Sequence, residues 1–170
     1  MRLADEILIT EEQLATRVRE MAAEITADTE PGSMLSVLAI LDGAFIFCSD
    51  LIRRVDAPLR VGLLRMISIT RGGDVDQLRF PADFPITGTD LLVVEDILDT
   101  GHTLAALSDR LMQQAPARLR TAVLLDKPAG REVEFKPDYV GFKIPDHWVV
   151  GYGLDSGGLY RNLPHITYVK

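Results

Sequence analysis

Cysteine is almost absent from this chain: Cys48 is the only one among 170 residues, and it follows the apolar run 44–47. A lone thiol excludes an internal disulfide, and a buried core position is the favoured interpretation. The three histidines are scattered and have no cysteine partners, which argues against a zinc site. Both shortages are typical of a protein that works in a reducing cytoplasm.

Long hydrophobic runs and excess positive charge are also missing. No stretch approaches the roughly 20 apolar residues that a membrane span needs, so an integral membrane protein is not expected. Two acids, Asp5 and Glu6, stand where a signal or transit peptide avoids them, so we expect no export. The net charge of -7 and the pI near 4.9 argue against a general nucleic-acid-binding protein. A phosphate ligand is still compatible with this charge, because backbone amides and a metal ion can hold it.

Linkers, repeats and low-complexity tracts are absent, so residues 1–170 are expected to form a single domain. A hydrophobic share of 47% with a charged share of 25% is the balance of a globular protein and argues against disorder. The glycine-rich fingerprints of dinucleotide and triphosphate sites are missing as well, which leaves both ligand classes unsupported.

What is present predicts alternating helices and strands. Thr10 and Gln13 form a capping box before apolar residues at helical spacing, which predicts a helix from residue 10 to about residue 28. Further helices are predicted at 44–55 and at about 103–114. Short apolar runs predict strands, which are 35–41, 61–67, 91–94, 121–125, 139–142 and 148–152. The expected fold is therefore α/β, a mostly parallel central sheet flanked by helices, with ligands beyond the carboxyl ends of the strands.

The stretch 91–104 carries the most chemical information. An apolar strand runs into Glu95, Asp96 and Asp99, and the turn 100–103, Thr-Gly-His-Thr, opens a helix. The N–H groups and hydroxyls of such a turn suit a phosphate, whereas carboxylates suit sugar hydroxyls or a hard divalent cation. A ribose phosphate is therefore the indicated ligand. The alternative is that Asp99 and Thr100 only cap the helix, but this would leave the other acids and the glycine of the stretch unexplained.

This stretch resembles the phosphoribosyl-pyrophosphate (PRPP) signature of the type I phosphoribosyltransferases. The opening 7–12 and the segments 41–45, 124–128 and 137–164 resemble, more narrowly, the hypoxanthine(-guanine) phosphoribosyltransferases, in order along nearly the whole chain. The resemblance implies the type I fold with a small hood and a flexible lid loop at about residues 68–88. It also implies purine salvage, in which the 5-phosphoribosyl group of PRPP passes to hypoxanthine and also to guanine, giving IMP or GMP and pyrophosphate.

The resemblance assigns roles within the stretch that follows the strand. Glu95 and Asp96 would hold the ribose 2′- and 3′-hydroxyls, directly or through Mg²⁺. Asp99 would be the general base or proton partner for purine N7. The 5-phosphate would be wrapped, mostly by N–H and hydroxyl donors, by five consecutive residues: Asp99, Thr100, Gly101, His102 and Thr103.

The resemblance implies that four residues bind the purine base: Lys127, Trp148, Val149 and Asp155. Lys127 would donate to purine O6, and because an ammonium only donates, it matches a 6-oxo group and opposes the 6-amino group of adenine. Trp148 would stack on the base, the backbone of Val149 would read its edge, and Asp155 would bind a second Mg²⁺ largely through water. The residues alone leave three other interpretations open: a surface lysine, a core tryptophan and a solvated acid.

The pyrophosphate loop and the lid depart from the family pattern. Asp42 and Gly43 would contact pyrophosphate together with Arg161, which on its own could equally be a solvated charge. Asp42 stands where many members have lysine, so the role of this loop, which often contains a cis peptide in the family, is assigned to its backbone N–H groups. In the lid, Ser68 is followed by Ile69 where the family has tyrosine, and the loop is shorter than usual, so altered contacts on closure are expected.

Two rival functions fit the same fold: a transferase that prefers xanthine, and a non-catalytic PRPP- or nucleotide-sensing regulator. The acidic balance and the intact Asp99 weigh against the regulator. A purely structural α/β domain would leave the ordered acids and glycines unexplained. The resemblance further implies Mg²⁺ as cofactor, PRPP and a 6-oxopurine as substrates, no nucleic-acid or membrane partner, and a homo-oligomer that is a dimer or a tetramer.

Overall fold

In the part of the chain that the structure describes, helices and strands build one six-stranded sheet and one two-stranded sheet. The structure, a computed structural model, describes residues 2–66, 78–79 and 83–170. The helices are α1 (Glu11–Ala27), α2 (Phe45–Ile52) and α3 (His102–Met112), and a 3-10 turn spans Pro128–Gly130. The strands are β1 (Leu35–Leu41), β2 (Leu59–Met66), β3 (Leu78–Arg79), β4 (Asp90–Leu98), β5 (Arg118–Asp126), β6 (Tyr139–Lys143), β7 (Val149–Val150) and β8 (Thr167–Tyr168).

The strand order places the candidate site at the carboxyl ends of the two central strands of the large sheet. The order is β3-β2-β1-β4-β5-β6; β3 pairs antiparallel with β2 and every other pair is parallel. The predicted α/β fold with a mostly parallel sheet is therefore confirmed. The next strand in the sequence, β2, lies on one side of β1, whereas β4 lies on the other side of β1. Because the order reverses there, a crevice forms beyond the carboxyl ends of β1 and β4, where open α/β sheets bind ligands.

The central strands β1, β4 and β5 are buried on both faces, which explains why they are continuous apolar runs. Side chains alternate along β1: Val37 and Ala39 pack in the cluster that contains α1 and α2, and Leu38 and Ile40 pack in the cluster that contains α3. The same alternation continues in the neighbouring strands. The helices thus form one layer on each side of the sheet.

The capping box at the start of α1 is present as predicted. The Gln13 N–H donates to the Thr10 hydroxyl oxygen at 3.3 Å, and the Thr10 N–H donates to Gln13 Oε1 at 2.8 Å. The helix then buries one apolar face, whose members are Leu14, Val18, Met21, Ala22 and Ile25. Local capping and apolar periodicity agree here, so the predicted and observed bounds agree within one residue at each end.

Three strands differ from the predicted length by more than one residue, and one of them, β5, spans Arg118–Asp126 rather than residues 121–125. β4 does not end at Val94 but continues to Leu98, because β5 pairs with it through Asp126 and backbone pairing overrides the low strand propensity of acids. β7 covers only Val149–Val150, because Gly151 and Tyr152 adopt positive φ values of 102° and 51° that end the strand. β7 pairs with β8, and these two strands form the predicted small hood.

The predicted lid loop, residues 68–88, lies largely outside the described residues. Of that segment the structure describes only 78–79, which form β3, and 83–88. The departure at Ser68 and Ile69 also lies outside the described residues, so its expected effect on lid closure stays a prediction.

Candidate active site

Two adjacent acids stand in the last part of β4, at the crevice beside β1. Glu95 is buried, with 8% of its surface exposed, and Asp96 is half-buried. The Asp96 N–H donates to Glu95 Oε1 at 3.1 Å, and the Ile97 N–H donates to Asp96 Oδ1 at 2.7 Å. Both carboxylates are therefore oriented by the backbone of the strand that carries them.

The environment disfavours negative charge on both acids. Burial, followed by the charge of Asp96, raises the pKa of Glu95 well above its usual range. Burial also raises the pKa of Asp96, although hydrogen bonds and the nearby charge of Arg161 act in the opposite direction. Two neighbouring acids that ionise reluctantly are suited to accept hydroxyl donors or to take up a divalent cation, which supplies the missing positive charge.

The turn after β4 is held in place by hydrogen bonds from residues 132–133, and its other side lines a cavity. The N–H groups of Glu132 and Val133 donate to the Thr100 carbonyl at 2.9 and 3.0 Å. Gly101 has a φ of 93°, and a Cβ there would lie 2.6 Å from the Val133 carbonyl oxygen, so only glycine fits. Among the described residues, none caps α3 with its side chain, so the interpretation of Asp99 as a helix cap is wrong. The first N–H groups of α3 remain available to an anion.

A cavity of about 360 Å³ opens beside this turn. Its lining includes six residues predicted for the PRPP site, which are Glu95, Asp96, Asp99, Thr100, Gly101 and Thr103. His102 is not part of the lining, and its Nε2 lies 3.0 Å from Glu132 Oε2, so its imidazole contacts the anchoring segment. The backbone of His102, at the first position of α3, is the part that belongs to the turn.

A second cavity of about 190 Å³ adjoins the first. It is lined by Asp96, Ile97, Asp99, Lys127, His147, Trp148, Val149, Leu154 and Asp155, which include all four predicted purine residues. Three of these residues, Asp96, Ile97 and Asp99, line the first cavity as well. A ligand with two chemically different parts can therefore lie across both cavities with Asp99 at the junction.

Lys127 is a buried ammonium at the back of the second cavity. The residue is 7% exposed, so the interpretation as a surface lysine is wrong. Its Nζ lies 3.0 Å from Asp99 Oδ2 and 2.8 Å from Asp146 Oδ1. Burial by itself lowers the pKa of Lys127, but its bonds to Asp146 and Asp99 outweigh burial and raise it. Lys127 is therefore held as a cation and a hydrogen-bond donor.

Trp148 stands at the mouth of the second cavity with 67% of its surface exposed. This exposure excludes the interpretation as a core tryptophan. The neighbouring Val149 is 6% exposed and begins β7, which holds its backbone at the cavity wall. A flat aromatic side chain at the entrance is suited to stack on a planar ligand.

Asp155 and Arg161 form a half-buried ion pair. Arg161 Nη2 lies 2.9 Å from Asp155 Oδ1, and each side chain is 28% exposed, so neither is a solvated surface charge. Arg161 also donates from Nη1 to the Gly153 carbonyl at 2.7 Å. Asp155 lines the second cavity, whereas Arg161 is in the lining of neither cavity.

The loop after β1 contacts Asp96 on one side and β2 on the other. The Leu41–Asp42 peptide is cis. Gly43 approaches Asp96 so closely that a Cβ would lie 1.5 Å from Asp96 Oδ2. The Asp42 carboxylate pairs with Arg65 of β2, Oδ1 to Nη2 at 2.7 Å. Because β2 and β4 lie on opposite sides of β1, the acidic side chain is directed away from Asp96, and neither Asp42 nor Gly43 is in the lining of the two cavities.

Sequence reasoning missed three residues that contact and position the predicted site residues. Asp146 pairs with Lys127, Arg65 pairs with Asp42, and Gly130 approaches Asp99 so that a Cβ would lie 2.0 Å from Asp99 Oδ1. Each of them acts through a partner that is far away in the sequence, so no local spacing signals it. A weak signal existed for Asp146, an acid two residues before the aromatic residue that was singled out.

The chain is similar to known phosphoribosyltransferases over nearly its whole length. Residues 5–157 match the phosphoribosyl transferase domain family. The chain is 39% identical to the hypoxanthine-guanine phosphoribosyltransferase of Aquifex aeolicus, over 96% of this chain and 94% of that protein. It is also 40% identical to the bifunctional protein TilS/HprT of Listeria monocytogenes, and there the match spans 26% of the longer protein, about a quarter of its length.

Solved structures agree with this similarity. A hypoxanthine-guanine phosphoribosyltransferase from Bacillus anthracis superposes with a TM-score of 0.89 at 40% identity, covering 99% of both chains. A hypoxanthine phosphoribosyltransferase from Staphylococcus aureus superposes with a TM-score of 0.88 at 38% identity, covering 98% of this chain and 91% of that one.

Proposed function

The chain belongs to the hypoxanthine-guanine phosphoribosyltransferase family, and we propose that it transfers the 5-phosphoribosyl group of PRPP to hypoxanthine and guanine in purine salvage. The products are IMP or GMP and pyrophosphate. The proposal takes residues 1–170 as one phosphoribosyltransferase domain. The observation that carries it is the pair of adjoining cavities that share Asp96, Ile97 and Asp99, one beside a phosphate-type turn and one beside a buried lysine.

The first cavity suits the ribose phosphate. The 5-phosphate would accept hydrogen bonds from the backbone N–H groups and hydroxyls of residues 99–103, at the positive end of α3. The 2′- and 3′-hydroxyls would donate to Glu95 and Asp96. The backbone of Asp42 and Gly43 would face the pyrophosphate, and Arg161 would exchange its contact with Asp155 for a pyrophosphate oxygen.

The second cavity suits a 6-oxopurine. Lys127 carries only donors, so it matches the O6 acceptor of hypoxanthine or guanine, and adenine would place a donor against it. Trp148 would stack on the purine, and the Val149 backbone and Asp155 would read its edge. Asp99, at the junction of the cavities, would take the proton of purine N7.

The acids in the site fit Mg²⁺. In the described part of the chain, no group of three or more acids, histidines or cysteines could by itself hold a metal ion. Mg²⁺ is usually held by one or two carboxylates together with substrate oxygens and water, and the adjacent Glu95 and Asp96 supply such a pair. Asp155 would take part through water at a second position. When bound, Mg²⁺ neutralises the negative charge of the pyrophosphate leaving group.

In the proposed reaction, purine N9 forms a bond with ribose C1 while the bond from C1 to the pyrophosphate oxygen breaks. The electron pair of the broken bond leaves with pyrophosphate. The purine loses the proton on N7, and the Asp99 carboxylate accepts it. Lys127 keeps the 6-oxo end in place while positive charge develops on the ribose. The residues of the site thus act by orientation and electrostatic stabilisation.

We further propose a homo-oligomer, a dimer or a tetramer, located in the cytoplasm. Three large apolar side chains, Phe45, Val61 and Leu63, lie exposed on α2 and β2 at 42–53% of their surface, which supports a contact between copies. Static light scattering of the purified chain tests the oligomeric state. The described residues contain no helix with the length and apolar character of a membrane span.

An activity panel tests the function. The purified protein is incubated with PRPP and Mg²⁺ and, separately, with hypoxanthine, guanine, xanthine, adenine and uracil, and nucleotide formation is followed by absorbance. We expect turnover of hypoxanthine and guanine, little turnover of adenine, and a loss of kcat of about 10²-fold or more in Asp99→Asn. The absence of turnover with every base, despite measurable PRPP binding, would overturn the enzyme and favour a sensing protein.

A further inference from the structure

The buried ammonium of Lys127 has two carboxylate partners, and only one of them has a role so far. Its Nζ lies 3.0 Å from Asp99 Oδ2 and 2.8 Å from Asp146 Oδ1. The Lys127 side chain is 9% exposed, whereas Asp146 is 64% exposed. Asp146 therefore reaches inward from the surface and contacts the charged end of Lys127 directly.

The segment that carries Asp146 is held on both sides. The Ile144 N–H donates to the Asp126 carbonyl at 2.9 Å, which ties the segment to the residue before Lys127. After Asp146, the His147 N–H donates to the Pro145 carbonyl at 2.9 Å, and the His147 ring stacks on Tyr168 with centroids 4.3 Å apart. The short distance to Lys127 is thus a property of an anchored turn.

A 6-oxopurine would compete with a carboxylate for the ammonium. Lys127 has three N–H donors, and two of them are used by Asp99 and Asp146. An ion pair with Lys127 makes the Asp99 carboxylate a weaker base, so Asp99 accepts the N7 proton more readily once Lys127 releases it, but a buried ammonium that loses its sole counter-charge is costly. With Asp146 in place, Lys127 keeps one carboxylate partner while its other donors turn to O6.

We propose that Asp146 is a positioning residue for the 6-oxopurine: it holds the Lys127 ammonium in the purine cavity and thereby frees Asp99 for the base. This inference rests on the proposed function. The pKa of Asp146 is lowered by its hydrogen bond to Lys127, in agreement with a carboxylate that stays ionised as a permanent partner. The other titratable groups that line the cavity are Asp96, Asp99, His147 and Asp155.

The test compares Asp146→Asn with the conservative variant Asp146→Glu. In Asp146→Asn we expect the KM for hypoxanthine to rise about tenfold, the KM for PRPP to stay within twofold, and Asp146→Glu to recover most of the loss. Because Asp146 raises the pKa of Lys127, its removal should also move the alkaline decline of kcat/KM for hypoxanthine to lower pH than in the wild type. A merely structural role would not shift this decline.

Two controls sharpen the result. Asp56→Asn removes an exposed acid before β2, at the opposite edge of the sheet, and should leave all constants unchanged. In a Lys127→Gln background, Asp146→Asn should add less than a twofold further rise in the KM for hypoxanthine, because Asp146 acts through Lys127. An unchanged KM for hypoxanthine with an unmoved alkaline decline, or an equal rise in both KM values, would overturn the inference while the wild type stays active. A wild-type protein that converts no purine would overturn the proposed function itself.

Discussion

Gly43 and Asp96 touch across the crevice between β1 and β4. A Cβ at Gly43 would lie 1.5 Å from Asp96 Oδ2 and 2.5 Å from Asp96 Cγ. The backbone of the proposed pyrophosphate loop therefore rests directly on a carboxylate of the proposed ribose site. Two parts of the PRPP site that are 53 positions apart in the sequence, roughly a third of the chain, thus share one contact surface.

Gly43→Ala should damage catalysis more than folding. The obstructing atoms belong to the end of a side chain, so Asp96 can rotate away, at the cost of its hydrogen bond from the Ile97 N–H. We expect the free energy of unfolding to fall by about 1 kcal/mol. Because Asp96 leaves its position, kcat/KM for PRPP should fall by about 10² or more. Urea unfolding and steady-state kinetics measure both, and normal kinetics in a folded variant would contradict the contact.

Gly130→Ala and Gly141→Ala form a matched pair with different expected outcomes. A Cβ at Gly130 would lie 2.0 Å from Asp99 Oδ1, so this variant should displace Asp99 and lower kcat at least tenfold with little loss of stability. A Cβ at Gly141 would lie 2.3 Å from the Leu124 carbonyl oxygen, which is backbone inside the sheet. Gly141→Ala should therefore destabilise the fold by about 1–3 kcal/mol. Thermal unfolding and kcat separate the two effects, and equal losses of stability in both variants would refute the distinction.

The ion pair between Asp42 and Arg65 should matter for PRPP binding. Arg65→Ala removes the partner of an acid in the proposed pyrophosphate loop, so repulsion should raise the KM for PRPP several-fold, less so at high salt. The side chains are 65% and 48% exposed, so the stability should change by about 1 kcal/mol at most. The double variant Asp42→Asn/Arg65→Ala removes the repelling charge and should recover most of the affinity. An unchanged KM for PRPP in Arg65→Ala would show that the ion pair between Asp42 and Arg65 does not affect PRPP binding.

Glu95→Gln should stabilise the metal-free protein at alkaline pH. Burial raises the folded-state pKa of Glu95 above its ordinary value of 4.5, so the folded chain holds this proton more tightly than the unfolded chain does. Below pH 4.5 the residue therefore costs nothing, and its cost appears as the pH rises through the raised pKa. At pH 8, with EDTA, we therefore expect the variant to be more stable than the wild type, and at pH 4 we expect no such difference.

The same variant should lose the stabilisation by Mg²⁺ and PRPP. Thermal unfolding between pH 4 and pH 8, with and without Mg²⁺ and PRPP, records both effects. A variant that is less stable than the wild type at pH 8 without metal would show that the charge of Glu95 is favourable in the fold, contrary to its burial.

The pattern of apolar residues predicted correctly those helices and strands whose buried faces match that pattern. α1 has a capping box and one apolar face, and β1 is an apolar run buried on both sides, so both appear where predicted. Local signals failed where pairing decides the outcome. β4 extends through Glu95 and Asp96 because β5 runs beside it, and β7 ends early because residues 151–153 adopt positive φ.

The parts of the candidate site that are contiguous in the chain could be predicted for the same reason. Residues 95–103 pass from a strand to a turn to a helix, so one segment brings its acids and its phosphate-type turn together by local geometry. The alternatives for Lys127 and Trp148, a surface lysine and a core tryptophan, required a structure to be rejected, because burial depends on what packs around a residue.

The sequence by itself therefore determined the class of fold and predicted the class of ligand that we propose, since both follow from short-range patterns of apolar residues, acids and glycine. Only the tertiary structure decided which charges are partners. Lys127 meets Asp99 across 28 positions and Arg65 meets Asp42 across 23. These pairs depend on strand order and register: β5 brings Lys127 beside the end of β4, and β2 brings Arg65 beside the end of β1. Coulombic attraction acts over a few ångströms of space, whatever the separation along the chain.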